Sequence, residues 1–322
     1  MVFDNPRNKG ILFVILNTIL WSGNYVVGRI IIGEIPPITF NSLRWLVTLV
    51  ILCCFALPTL KREWRQVKKF LPVIAVCGVI SVSLYNPLAY IGAQTTSAAN
   101  LALISVTTPI FIVLFSYFKG DKPTRNQALG CVLAFAGSVY LVIGGDPANL
   151  LSLRFATGDI LMLIAAIIFA VYSMLLSKVP DGISQTSILL VMTFIGLVLT
   201  IPFVMWEWAQ PGVEPIKLNR LFFITVIYTG VGNSLLAWWL WNLALVNAGP
   251  VLTGVIHYTL PIMSGIFGYL ILGEQMTAVH YVSGAAIIGG VMWCLVPDRR
   301  RAAAATEQYI GTRGEAYHAR VL

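Results

Sequence analysis

The polar groups with chemical reach in this sequence are few, and they sit inside long apolar runs. Arg44, in "PPITFNSLRW", is the one basic residue written into the body of such a run, about 8 Å deep at a helical rise of about 1.5 Å per residue. A charge there is costly and faces a bundle interior, so Arg44 reads as a contact to a buried network or a ligand; snorkelling to the outer surface is the competing reading. His257, followed by Tyr258, is an interior group whose proton exchanges near neutral pH, its unperturbed pKa being about 6.5. A satisfied structural histidine fits equally well. In "SLLAWWLWNLALVNAG", Ser234, Trp238, Trp241 and Asn242 share one helical face, since positions three and four apart are neighbours. Trp239 fits an aromatic belt at the membrane surface, whereas Trp238 and Asn242 fit recognition. Asn24 and Tyr25 follow Trp21, and Asn86 and Tyr90 lie in "SLYNPLAYIGA". Amides and rings so placed bind a solute or hold helices together.

Equally informative is what is missing. No Asp or Glu lies deep in an apolar run: Glu34, Asp121, Asp159, Glu207 and Glu274 all fall at run ends. Proton exchange through a buried carboxylate therefore has no residue to carry it. No Ser-His-Asp set, paired carboxylates or zinc motif occurs, and "GAAIIGGV" and "GVGNS" do not follow strand-to-helix turns as a phosphate loop must. The cysteines Cys53, Cys54, Cys77, Cys131 and Cys294 lack metal-ligand spacing and read as small apolar helix residues. No enzyme activity, cofactor or metal is expected.

Of 322 residues, 58% are hydrophobic and 11% charged, with a mean hydropathy of +0.83. A soluble domain carries about twice that charged fraction. Ten apolar runs are long enough to cross a hydrocarbon core about 30 Å thick: 11–32, 38–57, 70–91, 97–118, 127–143, 158–178, 186–206, 220–243, 250–272 and 278–296. The net charge of +8 is explained by sidedness rather than by nucleic acid. Arg7, Lys9, the cluster Lys61 to Lys69, Lys119, Lys122, Arg125, Lys178 and Arg299 to Arg301 fall on one side, against Arg29, Arg154, Lys217 and Arg220 on the other. The positive-inside rule then puts both termini in the cytoplasm.

The runs repeat. "FSYFKGDKPT" is echoed by "FGYLILGEQMT", each after a proline inside an apolar run, Pro109 and Pro261. "GILFVILNTILWSGNYVVGRII" resembles "GDILMLIAAIIFAVYSMLLSKV", pairing Trp21 with Phe169, and "TRNQALGCVLAFAGSVYLVI" runs beside "TAVHYVSGAAIIGGVMWCLV". Two copies of five spans follow, 1–147 and 158–297, with a polar tail 298–322 expected to be disordered. Five is odd, so the second copy is inverted. The expected fold is an all-α membrane protein of ten transmembrane helices in two inverted five-helix repeats. Inversion places a site near the midplane and permits alternating access. Pro109 and Pro261, each removing a backbone donor, are expected to break their helices beside a central cavity. Under the repeat Trp238 and Asn242 correspond to Asn86 and Tyr90, one set expected at the inner mouth and the other at the outer.

Residues 10 to 297 resemble the drug/metabolite transporter superfamily, specifically the bacterial ten-helix exporters with two EamA domains. "ILWSGNYVVGR" with "PPITFNSLRW", including Arg44, is similar to the family's opening helices, and "TLPIMSGIFGYLILGEQMT" with "GAAIIGGV" to its closing ones. "FKGDKPT" departs from the usual LGE through Lys119 and Asp121. The resemblance implies export of small metabolites, amino acids or related amphipathic and aromatic compounds, across a bacterial inner membrane. A lipid-linked or sugar-nucleotide carrier of the same fold is the nearest alternative, and a membrane-embedded transferase a further one. The implied partners are a small solute and the bilayer, with no nucleic acid, and ten spans can enclose a cavity as a monomer.

Overall fold

The structure, a computed structural model, describes residues 5–30, 35–93, 95–96, 98–120, 122–151, 156–180, 182–213, 215–273 and 275–296, with the side chains of 24–30, 90, 93, 98–100 and 272 left aside. Among these residues every regular element is a helix. In chain order they are α1 (Pro6–Ile30), α2 (Pro37–Gly78), a π-helical stretch Val79–Leu84, α3 (Tyr85–Ala93), α4 (Ala98–Ser105), α5 (Thr108–Lys119), α6 (Arg125–Val142) and α7 (Pro147–Leu151). The second half has α8 (Thr157–Leu176), α9 (Gln185–Trp208), α10 (Arg220–Tyr228), a π-helical stretch Thr229–Leu236, α11 (Ala237–Ala248), α12 (Pro250–His257), α13 (Leu260–Leu272) and α14 (Ala278–Leu295). Seven of the described helical segments are long and apolar enough to cross a membrane.

The doubled "Gly, acid, Thr" signature is a helix stop followed by a helix start. Gly120 (φ 97°) and Gly273 (φ 69°) close α5 and α13 in the left-handed region, where a Cβ would be strained. Four residues on, Thr124 and Thr277 are the N-caps of α6 and α14. Thr124 Oγ1 accepts from the Gln127 amide (3.1 Å) while Gln127 Oε1 accepts from the Thr124 amide (2.8 Å), a reciprocal capping box. Asp121 and Glu274, between stop and start, lie outside the described residues.

Helical structure is interrupted beside both prolines. Pro109 and Pro261 stand in the first turn of α5 and α13, where the missing amide hydrogen has no intrahelical partner in any case. The helices break just before them, at 106–107 and 258–259. At each break a threonine hydroxyl takes up a carbonyl of the preceding helix: Thr107 Oγ1 donates to Ile104 O (2.6 Å) and Thr259 Oγ1 to Ile256 O (2.8 Å). The second and third runs, 38–57 and 70–91, are joined by helical backbone: Pro37–Ala89 is assigned as one segment of 53 residues, Pro58 and Pro72 included. It nevertheless doubles back, since Asn41 Nδ2 reaches Val82 O at 2.8 Å and Glu63 and Gly78 both pack on α9, at Ser184 and Met192.

Antiparallel pairs organise the bundle: α2 lies along α9, α6 along α14, α1 along α11 and α3 along α8. A Cβ on Gly290 would come 2.6 Å from the Gly130 carbonyl, so α6 and α14 touch backbone to backbone. The α2–α9 pair is clasped at both ends. The Glu207 carboxylate, at the end of α9, accepts from the Ile38 amide (2.8 Å), the Thr39 amide (2.7 Å) and the Thr39 hydroxyl (2.7 Å), capping α2. At the other end, Glu63 of α2 accepts from the Ser184 amide (3.0 Å) and hydroxyl (2.8 Å), where Ser184 caps α9. Large apolar side chains such as Phe194, Val198, Ile201 and Phe203 face outward from α9, the polarity of a surface that meets lipid rather than water.

Candidate functional site

A knot of rings fills the place where the two halves of the chain meet. Trp21 of α1 contacts Phe169 of α8 (ring centroids 5.8 Å), Trp238 (5.6 Å) and Trp241 (5.4 Å) of α11, and His257 at the end of α12 (5.4 Å). Trp241 also meets His257 edge-on at 5.2 Å. Tyr172, one turn beyond Phe169, packs edge-to-face on Trp238 at 5.1 Å, and Trp45 of α2 closes the far side of Trp238 at 5.7 Å. Edge-to-face pairs in this range exceed simple area burial by about 0.5–1.5 kcal/mol each. Trp21 and His257 are only partly buried, although rings from other helices contact both.

The π-helical stretches explain how polar atoms come to line this region. A π turn holds one extra residue and leaves a carbonyl without its usual donor. Side chains of α1 and α2 supply the donors: Asn17 Nδ2 to Ala237 O (2.8 Å), Trp21 Nε1 to Asn233 O (3.3 Å), Thr48 Oγ1 to Gly230 O (2.8 Å) and Asn41 Nδ2 to Val82 O (2.8 Å). Other polar atoms keep no hydrogen-bond partner among the described residues: Trp45 Nε1, Trp241 Nε1, Asn242 Nδ2, Asn86 Nδ2, His257 Nδ1 and the Asn17 and Asn41 Oδ1 atoms. Unpartnered buried donors cost free energy, and a cluster of them marks a place where a ligand supplies the partners. No group of three His, Cys, Asp or Glu gathers to hold a metal among the described residues.

Of the residues singled out by sequence, the structure brings together Trp238, Trp241, Asn242 and His257. Arg44 is 2% exposed, with its guanidinium carbon 5.9 Å from the Trp45 ring centre, a geometry incompatible with snorkelling. Tyr258 points away from the knot, toward Phe135 of α6 (6.5 Å). Asn86 is buried at the start of α3 beside Tyr85, whose ring meets Phe169 at 5.1 Å. The side chains of Asn24, Tyr25 and Tyr90 lie outside the described residues. Trp238 is buried within the bundle, ten residues before Ala248, the last residue of α11, about 15 Å along the helix. Trp45, Tyr172 and Asn17 were not legible as site residues, and Trp21 and Phe169 were visible only as repeat mates.

The pattern of the EamA-like transporter family matches residues 8–143 and again 156–296. The chain belongs to this family. It is a multi-pass membrane transporter and not an enzyme. A transporter of Archaeoglobus fulgidus, itself described as uncharacterized, is 25% identical over 88% of this chain and 96% of its own length. The "Probable terminal-alkyne amino-acid exporter" of Streptantibioticus cattleyicolor is 23% identical over 88% of this chain and 93% of its own. A solved crystal structure superposes with a TM-score of 0.73 at 20% identity, covering 91% of this chain and 99% of that one, a likeness of fold.

Proposed function

We propose that this EamA-family transporter exports small amphipathic metabolites with an apolar or aromatic part, amino acids or related compounds, from the cytoplasm across a bacterial inner membrane by alternating access. The carrying observation is the ring knot: Trp21, Trp238, Trp241 and His257 cluster, and among them Trp241 Nε1, Asn242 Nδ2 and His257 Nδ1 are buried without partners among the described residues. Rings take the apolar part of a solute and the amide and indole donors its polar head. Ten spans in two inverted repeats, 1–147 and 158–297, with both termini cytoplasmic, are the topology this reading requires.

Several features support the inversion. The π-helical stretches Val79–Leu84 and Thr229–Leu236, the helix breaks at 106–107 and 258–259, and the glycine stops at Gly120 and Gly273 recur at equivalent places in the two halves. Contacts exchange in the same sense, α1 with α11 and α8 with α3, while α2 meets its own mate α9 and α6 its own mate α14, as a twofold axis in the membrane plane demands. Both halves of the site come from one chain, which suits a monomer. The amino-acid exporter among the relatives favours amino-acid-like cargo over lipid-linked or sugar-nucleotide cargo. The test is counterflow of labelled solute into liposomes holding the purified protein, across a panel of amino acids, aromatic acids, amines and nucleotide sugars. Saturable uptake of amphipathic solutes that Trp241→Ala weakens is expected; uptake confined to nucleotide sugars, or none for any class, refutes the reading.

A further inference from the structure

Tyr172 and Asn242 stand 70 residues apart in sequence and meet in the ring knot, where the Tyr172 hydroxyl donates to Asn242 Oδ1 at 2.6 Å. Both are fully buried. The bond is short for a phenol on a neutral acceptor, and its direction has a consequence. A primary amide offers one acceptor and two donors at opposite edges. With the oxygen held by the phenol, the edge left to a neighbour is the NH2, and Asn242 Nδ2 has no partner among the described residues. The reverse setting would leave the phenolic proton unpaired in a dry site, which is unfavourable. Tyr172 is itself held, stacked on Phe169 at 5.8 Å and edge-on to Trp238 at 5.1 Å, so its hydroxyl stays aimed at Asn242 and the amide cannot turn without losing that bond. The nearby indole nitrogen of Trp241, an obligate donor, is likewise unpartnered.

We propose that Tyr172 sets the polarity of the solute head this transporter accepts: by fixing Asn242 with its NH2 presented, it makes the site select a carboxylate or carbonyl oxygen over an ammonium. The proposal rests on the reading of the ring knot as the solute site. Tyr172 is a positioning residue here and Asn242 the contact. An ammonium head would meet the presented NH donors and be left only an oxygen already engaged by the phenol, so discrimination comes from dipole orientation rather than from a charged partner.

The experiment uses two probes with one ring and opposite heads, 3-phenylpropionate and 2-phenylethylammonium, titrated into the full-length protein in nanodiscs and followed by tryptophan fluorescence. Wild type should bind the carboxylate about tenfold or more tightly than the ammonium, the scale of one hydrogen bond to a charged acceptor. Tyr172→Phe, which keeps the ring and drops the hydroxyl, should reduce that ratio about tenfold, chiefly through loss of carboxylate affinity, because the amide is then free to present its oxygen. Asn242→Leu should reduce the ratio similarly and serves if Tyr172→Phe does not fold. Wild type that binds both heads equally or prefers the ammonium overturns the proposal, as does either folded variant that keeps the wild-type ratio. If neither probe binds wild type, the site reading itself fails and the proposal falls with it.

Discussion

Replacing Glu207 by alanine removes the acceptor for the first turn of α2. Three hydrogen bonds end on this one carboxylate, from the Ile38 amide, the Thr39 amide and the Thr39 hydroxyl, which in turn accepts from Trp208 Nε1 at 2.9 Å. Loss of a helix cap costs about 0.5–2 kcal/mol. The negative charge at a helix N-terminus adds about 0.3–1 kcal/mol, up to about 2 in partly buried geometry, and Glu207 is 7% exposed, so solvent screens it little. The sum is about 1–4 kcal/mol for Glu207→Ala and about half that for Glu207→Gln, which keeps one acceptor oxygen without the charge. At roughly 2 °C per kcal/mol for a chain of this size, thermal midpoints in detergent should fall by about 2–8 °C and 1–4 °C. Glu63→Ala at the opposite clasp should cost less, about 1 kcal/mol or below, because Glu63 is half-exposed and screened. Midpoints within 1 °C of wild type for Glu207→Ala, or a Gln variant as damaged as the Ala variant, would refute the argument that a charged cap joins α9 to α2. The inner clasp also has a pH signature. Partial burial raises the Glu63 carboxyl, but hydrogen bonds from Ser187 and from the Ser184 hydroxyl and amide outweigh it, leaving the group below its ordinary 4.5. A lowered folded pKa contributes stability above the unfolded value that is lost as pH falls below about 4.5, so the Glu63→Ala deficit should vanish in acid.

Three further outcomes follow from the same geometry. Arg44→Ala should abolish counterflow and Arg44→Lys restore only part of it, since lysine lacks the planar five-donor fork; near-wild-type rates in both would remove Arg44 from the working machinery. Because the Trp238 ring is enclosed by Trp21, Trp45, Phe169 and Tyr172, Trp238→Ala should raise the half-saturation concentration by a similar factor from both faces of oriented vesicles, whereas a defect confined to the inner face would place it at an inner mouth. Cytoplasmic reporters should be active when fused after Lys68 and periplasmic reporters after Asn149, and the reverse pattern would invert the topology.

The elements were legible because hydrophobic length, proline placement and glycine stops act locally. The doubled glycine-to-threonine spacing names both a helix end and the next helix start, and its two occurrences expose the repeat without any tertiary information. The reversal between the second and third runs was legible from the prolines and the basic stretch, but not that the connection stays helical within Pro37–Ala89. Tyr172 escaped notice for another reason: its role is defined by Asn242, and nothing local joins them. Glu207 did carry a signal. An acid in the last turn of a helix opposes that helix's own dipole, so its presence there asks for a partner elsewhere, and the partner is the amide-rich start of α2.

The interior electrostatics join these observations. Among the described residues, the carboxylates Asp159 and Glu207 lie at helix ends and are committed to helix caps, and Arg44 is the buried cation in the body of the bundle. A site with mobile counter-charges could take a cation by ion pairing. Here the available partners are fixed donors: indole N–H groups and an amide whose direction is set by a phenol. Fixed dipoles in a dry environment discriminate sharply, because a solute head of the wrong polarity loses its hydration and gains no partner. They also release the solute readily, since no formal charge pair has to be separated at each turn of the cycle. A transporter built this way needs tight orientation of a few side chains more than it needs charge, and the rings of Trp21, Phe169, Trp238 and Trp241 supply it by packing on one another, around the amide that Tyr172 holds.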